Sequence, residues 1–273
     1  MSADAAGPPR LRDLWEQQAS AWTRWSREPG HDAYWLFHRD AFLRLVPAPG
    51  RLTLDLGCGE GRLLRDLAQR GHRVVGLDAA PTMVRAARDV APELAVINGD
   101  ATALPLADAC ADLVVAFMSL QDIDDMPRAV EEAARVLTAG GALCMAIVHP
   151  LNSAGSFSGR DPQAPFVIDG SYLESRRYHD VVERNGLPMT FHSHHRCLED
   201  YGRALEDAGM VVEAIREATM DEASVVSGDD RRWRRVPLFL HLRARHLGPR
   251  PESLNLDAVG RGRVALAAPS SSR

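Results

Sequence analysis

Three aspartates, each next to the end of a predicted strand, are the residues best placed to bind a small charged ligand. Asp55 precedes a glycine-rich turn, Asp78 closes the next predicted strand, and Asp100 follows the third. The carboxyl ends of parallel strands meet at one edge of an open α/β sheet, and ligands bind there. A single aspartate at a strand end can equally cap a turn or a helix. Three of them at successive strand ends predict a shared binding site.

The glycine turn, Gly57-Cys58-Gly59-Glu60-Gly61, indicates what kind of ligand this site takes. Glycines allow a tight turn and a close approach of the ligand to the backbone, beside the free N–H groups of the next helix. Dinucleotide-binding folds usually show GxGxxG, whereas this turn is GxGxG. Asp55, just before the turn, suits an ammonium group and would repel a pyrophosphate. Asp78 lies where a ribose diol would be bound.

The elements around this turn alternate between strand and helix. The predicted strands are 51–56, 73–78, 93–98, 111–119 and 142–150, and the predicted helices are 60–70, one beginning at Pro81, and 127–137. Such alternation predicts a doubly wound, mostly parallel sheet with helices on both faces. A further helix, 197–208, and two closing strands, 211–215 and 236–244, complete a seven-stranded sheet.

The segments outside this core are less regular. Residues 1–45 form a predicted N-terminal helical cap that carries four of the five tryptophans, all but Trp233. The main domain is predicted over 46–246, with an insert rich in Gly, Pro, Ser and aromatic residues at 151–196 that lies over the site. Residues 247–273 lack periodicity and are predicted to be a disordered tail.

Composition excludes several classes of protein. The net charge of −5 and the isoelectric point of about 6.1 oppose binding to nucleic acid. No lysine is present, which excludes Schiff-base chemistry and a P-loop lysine. No apolar run is long enough to span a membrane, and no signal sequence is recognisable. Four cysteines without paired spacing predict a reduced, cytoplasmic protein, whose oligomeric state the sequence leaves open.

The order and spacing of four segments resemble the class I S-adenosylmethionine-dependent methyltransferases, in particular small-molecule members of the type 11 group. The segments are LDLGCGEG (54–61), VVGLDAAPTMV (74–84), NGDATALPLADACADLVVAF (98–117) and RVLTAGGAL (135–143). The resemblance covers about residues 50–150 and, more weakly, 195–245. Thr138-Ala139 departs from it at a surface turn, where relatives often carry a basic residue and proline. The resemblance implies a Rossmann-like fold, S-adenosylmethionine as cofactor, and in-line methyl transfer to a small molecule.

The family's cofactor contacts carry over to this sequence by position. The resemblance implies that Asp55 and the turn hold the methionine moiety, that Asp78 accepts both ribose hydroxyls, and that Asp100 accepts from the adenine amine. The full set of implied cofactor residues is Asp55, Gly57, Cys58, Gly59, Asp78, Ala79, Met83, Gly99, Asp100, Ala101, Phe117 and Met118. The last two end the fourth strand, where the family places the sulfonium and the incoming acceptor.

Histidines are the candidate catalytic bases, because their unperturbed pKa lies near neutrality. His149 ends the fifth strand at the cofactor edge, and a pair similar to His195-Arg196 precedes a leucine-rich helix in small-molecule members of the family. His149 could instead fix the strand end through a loop carbonyl, and the histidines near 192–195 could serve only in packing. No carboxylate is placed with them, so no metal is predicted. Candidate substrate-pocket residues are Trp25, His31, Tyr34, Tyr172, Tyr178 and His194.

Two other functions are compatible with the same sheet. One is an S-adenosylmethionine-binding protein with a regulatory or non-methylating role, which intact loop residues do not exclude. The other is a nicotinamide-dependent oxidoreductase, which the GxGxG spacing and the acid before the turn oppose. The identity of the acceptor and the atom methylated are not readable from the sequence.

Overall fold

The computed structural model describes residues 8–29, 31–225 and 228–248. Its strands are β1 (Thr53–Leu56), β2 (Val74–Asp78), β3 (Ala95–Asn98), β4 (Ala111–Phe117), β5 (Leu137–Val148), β6 (Gly155–Phe157), β7 (Phe166–Ile168), β8 (Arg176–Arg184), β9 (Leu187–His195), β10 (Met210–Ala218) and β11 (Phe239–His246). Its α-helices are α1 (Leu11–Arg27), α2 (Arg39–Leu43), α3 (Arg62–Gln69), α4 (Pro81–Val90), α5 (Met126–Val136), α6 (Pro150–Ser153) and α7 (Leu198–Asp207). A π-helical turn spans Tyr34–His38, and short 3-10 turns span Leu120–Asp122, Glu222–Ser224 and Gly228–Arg235.

Seven strands form the central sheet in the order β10-β11-β5-β4-β1-β2-β3. Strands β1 to β5 pair in parallel, and β11 runs antiparallel to both β5 and β10. The predicted fold class, a doubly wound and mostly parallel seven-stranded sheet, is confirmed. In this order β4 is the central strand and β1 lies beside it, so the end of β1 and the end of β4 are neighbours. Residues that follow these two strands therefore share one site.

Helices cover both faces of the sheet, which explains why β4 is apolar throughout. One face packs against α5 and α7, through residues such as Val130 and Leu205. The other packs against α2, α3 and α4, through Phe42, Leu63 and Val84. A parallel strand buried on both faces needs a continuous apolar run rather than alternation.

The N-terminal cap and the insert meet over the carboxyl edge of the sheet. In α1, the Glu16 carboxylate accepts hydrogen bonds from the backbone N–H and the hydroxyl of Thr82, at 3.1 and 2.6 Å. The Trp15 indole N–H donates to the carbonyl of His192 in β9, at 2.9 Å. The insert itself consists of α6 and the antiparallel pairs β6–β7 and β8–β9. The predicted domain boundaries stay predictions.

Several strand limits differ from those predicted, among them those of β4 and β5. Strand β4 ends at Phe117 rather than at residue 119, because Met118 has a positive φ of 58°, which takes the chain out of the extended conformation. Strand β5 begins at Leu137 rather than at residue 142, and its register against β4 shifts between Ala111 and Leu113. The predicted disordered tail lies outside the described residues from 249 onward.

The cysteines and helices bear on two of the composition-based expectations. Cys58, Cys110, Cys144 and Cys197 are all free thiols. No helix within the described ranges is both long and apolar enough to cross a membrane. The cytoplasmic location stays a prediction.

Candidate cofactor and acceptor site

A cavity of about 530 Å³ lies at the carboxyl ends of β1, β2 and β4, beneath α1 and the β8–β9 hairpin. This volume is typical of small-molecule sites. It is lined by eleven of the twelve predicted cofactor residues, namely Asp55, Gly57, Cys58, Gly59, Asp78, Ala79, Met83, Asp100, Ala101, Phe117 and Met118. The twelfth, Gly99, lies beside an adjoining recess that also borders Asp100. The structure thus brings the residues of four separate segments to one site.

The glycine turn is fixed between two strand ends. The backbone N–H groups of Gly57 and Cys58 both donate to the carbonyl of Leu77, at 2.7 and 3.0 Å. Gly57 has a φ of +72°, and a Cβ on it would overlap the Cβ of Ser119. Ser119 cannot easily yield, because its hydroxyl donates to the carbonyl of Leu56 at 2.6 Å. Position 57 therefore requires glycine for both its conformation and its space.

Asp78 holds the turn and the next helix together. One carboxylate oxygen accepts from the backbone N–H of Gly59 and the other from that of Ala80, each at 2.8 Å. Each oxygen keeps further acceptor capacity, and the side chain lines the cavity. Burial raises the pKa of Asp78, although the two hydrogen bonds act in the opposite direction and lower it.

Asp55 is the most isolated charged group in the cavity wall. The residue is 1% exposed, and its Oδ2 has no hydrogen-bond partner. Burial, with a contribution from the nearby Asp78, raises the pKa of Asp55 to about 8. A buried polar atom without a partner is costly unless a ligand supplies one. An ammonium group would both pair with this oxygen and favour its charged form.

Asp100 is held from both sides. Its Oδ1 accepts from the backbone N–H and hydroxyl of Thr102, at 2.9 and 2.7 Å, and its Oδ2 accepts from Arg12 of α1, at 3.0 Å. Partial burial acts to raise the pKa of Asp100, but the hydrogen bonds from Thr102 and Arg12 outweigh it, so the pKa is lowered. The carboxylate is therefore charged and fixed at the edge of the cavity.

Arg62, the first residue of α3, is a cavity residue that sequence reasoning did not single out. Its guanidinium stacks on the rings of Trp22, at 4.7 Å, and Tyr34, at 4.2 Å. It also forms an ion pair with Asp32 at 2.7 Å. The sequence feature that could have identified Arg62 is its position directly after the glycine turn, because the N-terminal end of a helix favours an anion.

Aromatic side chains form much of the remaining wall. The chain contains 16 Phe, Trp and Tyr residues, and eight of them line this one cavity. Those from the N-terminal segment are Trp15, Trp22, Trp25 and Tyr34; the others are Phe117, Tyr178, Phe191 and Phe239. Phe191 contacts three of the tryptophan rings edge to face, with centroid distances of 5.7 to 6.4 Å. The cavity is therefore enriched in flat apolar surface.

The predicted substrate-pocket residues divide into two groups. Trp25, Tyr34 and Tyr178 line the cavity. His31, Tyr172 and His194 do not. His31 packs its ring against Trp25, at 4.3 Å between centroids, the Tyr172 hydroxyl accepts from the backbone N–H of Leu198, and His194 bonds with Ser175.

Neither predicted histidine base lines the cavity. His149 caps α6, where its Nδ1 accepts from the backbone N–H of Leu151, and its Nε2 lies 3.2 Å from Glu217. His195 is fully buried, with Nδ1 2.7 Å from the Ser153 hydroxyl and Nε2 2.9 Å from the Tyr172 carbonyl. Burial lowers the pKa of both histidines. The ring nitrogens of His149 and His195 thus already have polar partners within the protein.

The polar groups at the end of β4 were also missed from the sequence. Asp122 lines the cavity, and its Oδ1 accepts a hydrogen bond of 2.6 Å from Ser193, which lies 71 residues further along the chain. Gln121 is 4% exposed, and its side-chain oxygen lacks a partner. No local pattern could reveal the pairing of Asp122 with the insert.

Metal ligands are not grouped in this part of the molecule. Among the residues that the structure describes, no three His, Cys, Asp or Glu side chains cluster closely enough to hold a metal ion.

The sheet order, with its antiparallel β11, and the ligand cavity at the carboxyl edge define a Rossmann-like methyltransferase fold. Residues 54–145 match the family model of the methyltransferase domain. A solved S-adenosylmethionine-dependent methyltransferase from Mesorhizobium loti shares the fold, with a TM-score of 0.64 and 24% identity over 78% of this chain and 98% of its own. Residues 54–145 thus match a methyltransferase domain, and the chain shares its fold with a solved S-adenosylmethionine-dependent methyltransferase.

Two curated relatives are similar over about half of this chain. Malonyl-[acyl-carrier protein] O-methyltransferase from Pectobacterium atrosepticum is 33% identical over 155 residues, or 56% of this chain and 59% of that protein. Demethylmenaquinone methyltransferase from Beutenbergia cavernae is 35% identical over 147 residues, or 54% of this chain and 56% of that protein. The chain thus matches less than two thirds of the length of either relative.

Proposed function

We propose that this protein transfers a methyl group from S-adenosylmethionine to a small-molecule acceptor. The observation that carries the proposal is a pair of carboxylates, the buried Asp55 and the half-buried Asp78, which line one cavity on either side of the glycine turn. Their spacing along the sheet edge suits a ligand with an ammonium group near one end and a ribose further along. The two curated relatives are named for different acceptors, so they support methyl transfer in general and not one acceptor.

The ammonium and carboxylate groups of the cofactor would each meet a side chain of opposite charge in this cavity. The unpartnered Asp55 oxygen would pair with the ammonium group, and the Arg62 guanidinium would pair with the carboxylate. Asp78 would accept from the ribose hydroxyls through its remaining lone pairs. Met83 would pack against the adenine, and Asp100 would accept from its amine.

S-adenosylmethionine supplies a methyl group that its sulfonium already activates. The protein's part is then to align the acceptor and to exclude water, and alignment alone can lower a barrier by roughly 7–11 kcal/mol. Phe117 and Met118 lie where β4 ends, and α1 with the β8–β9 hairpin encloses the cavity from above. A cavity walled by aromatic rings is poor in water, which strengthens the electrostatic interactions inside it.

Titration calorimetry tests the proposed function directly. S-adenosylmethionine and S-adenosylhomocysteine should bind with micromolar affinity, because the cavity offers a partner for each charged end. NAD should give no heat, since Asp55 stands where a pyrophosphate would have to lie. Binding of NAD alone would overturn the proposal in favour of an oxidoreductase. Cofactor binding with no methylated product from any acceptor would favour a regulatory role.

Cofactor binding should also release a proton from Asp55. Near pH 7 the carboxyl, with its pKa raised to about 8, is mostly protonated in the free protein, whereas pairing with an ammonium group requires the charged form. Binding at pH 7 should therefore expel close to one proton, and affinity should rise as the pH increases from 6 to 7. Calorimetry in two buffers of different ionisation enthalpy measures the number released. Asp55→Asn serves as the control and should release none; equal release from this variant would assign the proton to another group.

A further inference from the structure

Asp122 occupies an unusual position for a carboxylate. It lies deep in the protein, directly after the sheet's central strands, yet part of its surface remains exposed and faces the cavity. Its Oδ1 accepts from the Ser193 hydroxyl at 2.6 Å. No other hydrogen bond to this carboxylate forms among the described residues, so Oδ2 is free to meet a ligand.

The segment that carries Asp122 is held rigidly. Arg196, at the end of the insert, donates through Nη2 to the backbone carbonyls of Ile123 and Asp124, at 2.7 and 2.9 Å. Its Nη1 reaches the carbonyl of Leu120 at 3.5 Å. The carboxylate is therefore positioned by the insert, through Ser193 and Arg196 together, rather than by its own loop alone.

Next to this carboxylate the wall is aromatic. Ser193 and Phe191 are two residues apart in β9 and share one face of the hairpin, and Tyr178 lies directly across from Ser193 in β8. Phe191 meets the ring of Trp25 edge to face, at 5.7 Å between centroids. These residues line the cavity together, so flat aromatic surface lies in the wall beside Asp122, and Asp180, across from Phe191 in β8, belongs to the same wall.

Gln121 provides a second, independent sign that a ligand binds here. Its side-chain oxygen is buried in the cavity wall without a donor. A buried acceptor of this kind is normally satisfied by a donor, and a ligand in the cavity can supply one. A ligand that carries hydrogen-bond donors on an otherwise apolar frame would satisfy both side chains.

We propose that the methyl acceptor is a flat aromatic alcohol and that Asp122 is the catalytic base that removes its hydroxyl proton. This inference rests on the proposed methyl transfer. The acceptor O–H proton passes to Oδ2 of Asp122 as the oxygen forms a bond to the methyl carbon. The carbon–sulfur bond breaks, and its electron pair stays on sulfur. The products are an aryl methyl ether, S-adenosylhomocysteine and a protonated Asp122, which returns its proton to water.

The environment of Asp122 suits it to this task. Burial raises the pKa of its carboxyl, while the Ser193 hydrogen bond and the Arg196 charge act in the opposite direction. A carboxylate with a raised pKa holds a proton more strongly than an exposed one and is a better base near neutral pH. Asp180, which pairs with Phe191 in the β8–β9 hairpin and also lines the cavity, is a competing carboxylate, but none of the described residues donates a hydrogen bond to fix it.

The binding part of the proposal is tested with 2-naphthol, a flat two-ring probe with one hydroxyl. Calorimetry on the full chain saturated with S-adenosylhomocysteine should show 2-naphthol binding at least tenfold more tightly than cyclohexanol. Equal binding, or none, would overturn the aromatic acceptor. Failure of S-adenosylhomocysteine itself to bind would instead overturn the proposed function, so the two failures are distinguishable.

The catalytic part is tested with Asp122→Asn, which preserves the shape of the side chain but cannot take a proton. With S-adenosylmethionine and 2-naphthol, the wild type should form 2-methoxynaphthalene, and Asp122→Asn should lower kcat at least a hundredfold with little change in KM or in affinity for S-adenosylhomocysteine. Asp180→Asn should lower kcat less than threefold. No product from the wild type, full activity in Asp122→Asn, or a larger loss in Asp180→Asn would overturn the assignment.

Discussion

Replacing Gly57 by alanine is expected to destabilise the protein and to weaken cofactor binding at least a hundredfold. A non-glycine residue in the left-handed region costs about 1–2 kcal/mol. The added methyl group also overlaps the fixed Ser119 side chain, and such overpacking costs about 1–3 kcal/mol. The midpoint of thermal unfolding should fall by roughly 5–15 °C. Because the turn must move to relieve the overlap, calorimetry should show S-adenosylhomocysteine affinity reduced at least a hundredfold.

Gly202→Ala is the matched control for this substitution. Gly202 lies within α7, and a Cβ there meets no atom within 4 Å. Alanine is a better helix former, so this variant should be more stable by about 0.5–1 kcal/mol and should bind the cofactor normally. Unchanged stability and affinity in Gly57→Ala would show that the turn is not packed against Ser119 as described.

Asp78→Ala is expected to reduce affinity for S-adenosylmethionine at least tenfold. The substitution removes the proposed ribose acceptor, and it also leaves the buried backbone N–H groups of Gly59 and Ala80 without their partner. Each unpaired donor costs about 1–3 kcal/mol, so the free energy of unfolding should fall as well. Calorimetry measures the affinity, and denaturant unfolding measures the stability.

Asp112→Ala separates these two effects. Asp112 also accepts from two backbone N–H groups, those of Arg51 and Leu52, but it does not line the cavity. It should lose less stability than Asp78→Ala, because the Arg51 N–H is exposed and can bond to water, and it should keep full cofactor affinity. If Asp78→Ala bound the cofactor as tightly as Asp112→Ala, the ribose would have to be bound elsewhere.

The cofactor half of the site could be predicted because it depends on short-range features. Asp55 and Asp78 each occupy a fixed position relative to a strand end, and the turn at Gly57 joins strand to helix within a few residues. Strand alternation places those ends at one edge. Even here the partners of Asp78 were not predictable, because its bond to Gly59 requires the close approach of two segments 19 residues apart.

The acceptor half depends on contacts between distant segments, and the sequence does not specify them. Asp122 meets Ser193 only because the insert folds back over the sheet. His195 lies two residues beyond Ser193, yet it does not line the cavity, and its two ring nitrogens are bonded to Ser153 and Tyr172. Residue type suggested a histidine base, whereas burial and hydrogen bonding favour the neighbouring aspartate.

The bond between Trp15 and the carbonyl of His192 joins residues 177 positions apart. During synthesis at about 5–20 residues per second, the first tryptophans leave the ribosome on the order of 10–30 s before the hairpin that covers them. Until then the nascent chain presents Trp15, Trp22 and Trp25 without their Phe191 partner. The ligand cavity is therefore among the last parts of the molecule to be completed, and chaperones that recognise aromatic segments have time to act on the early chain.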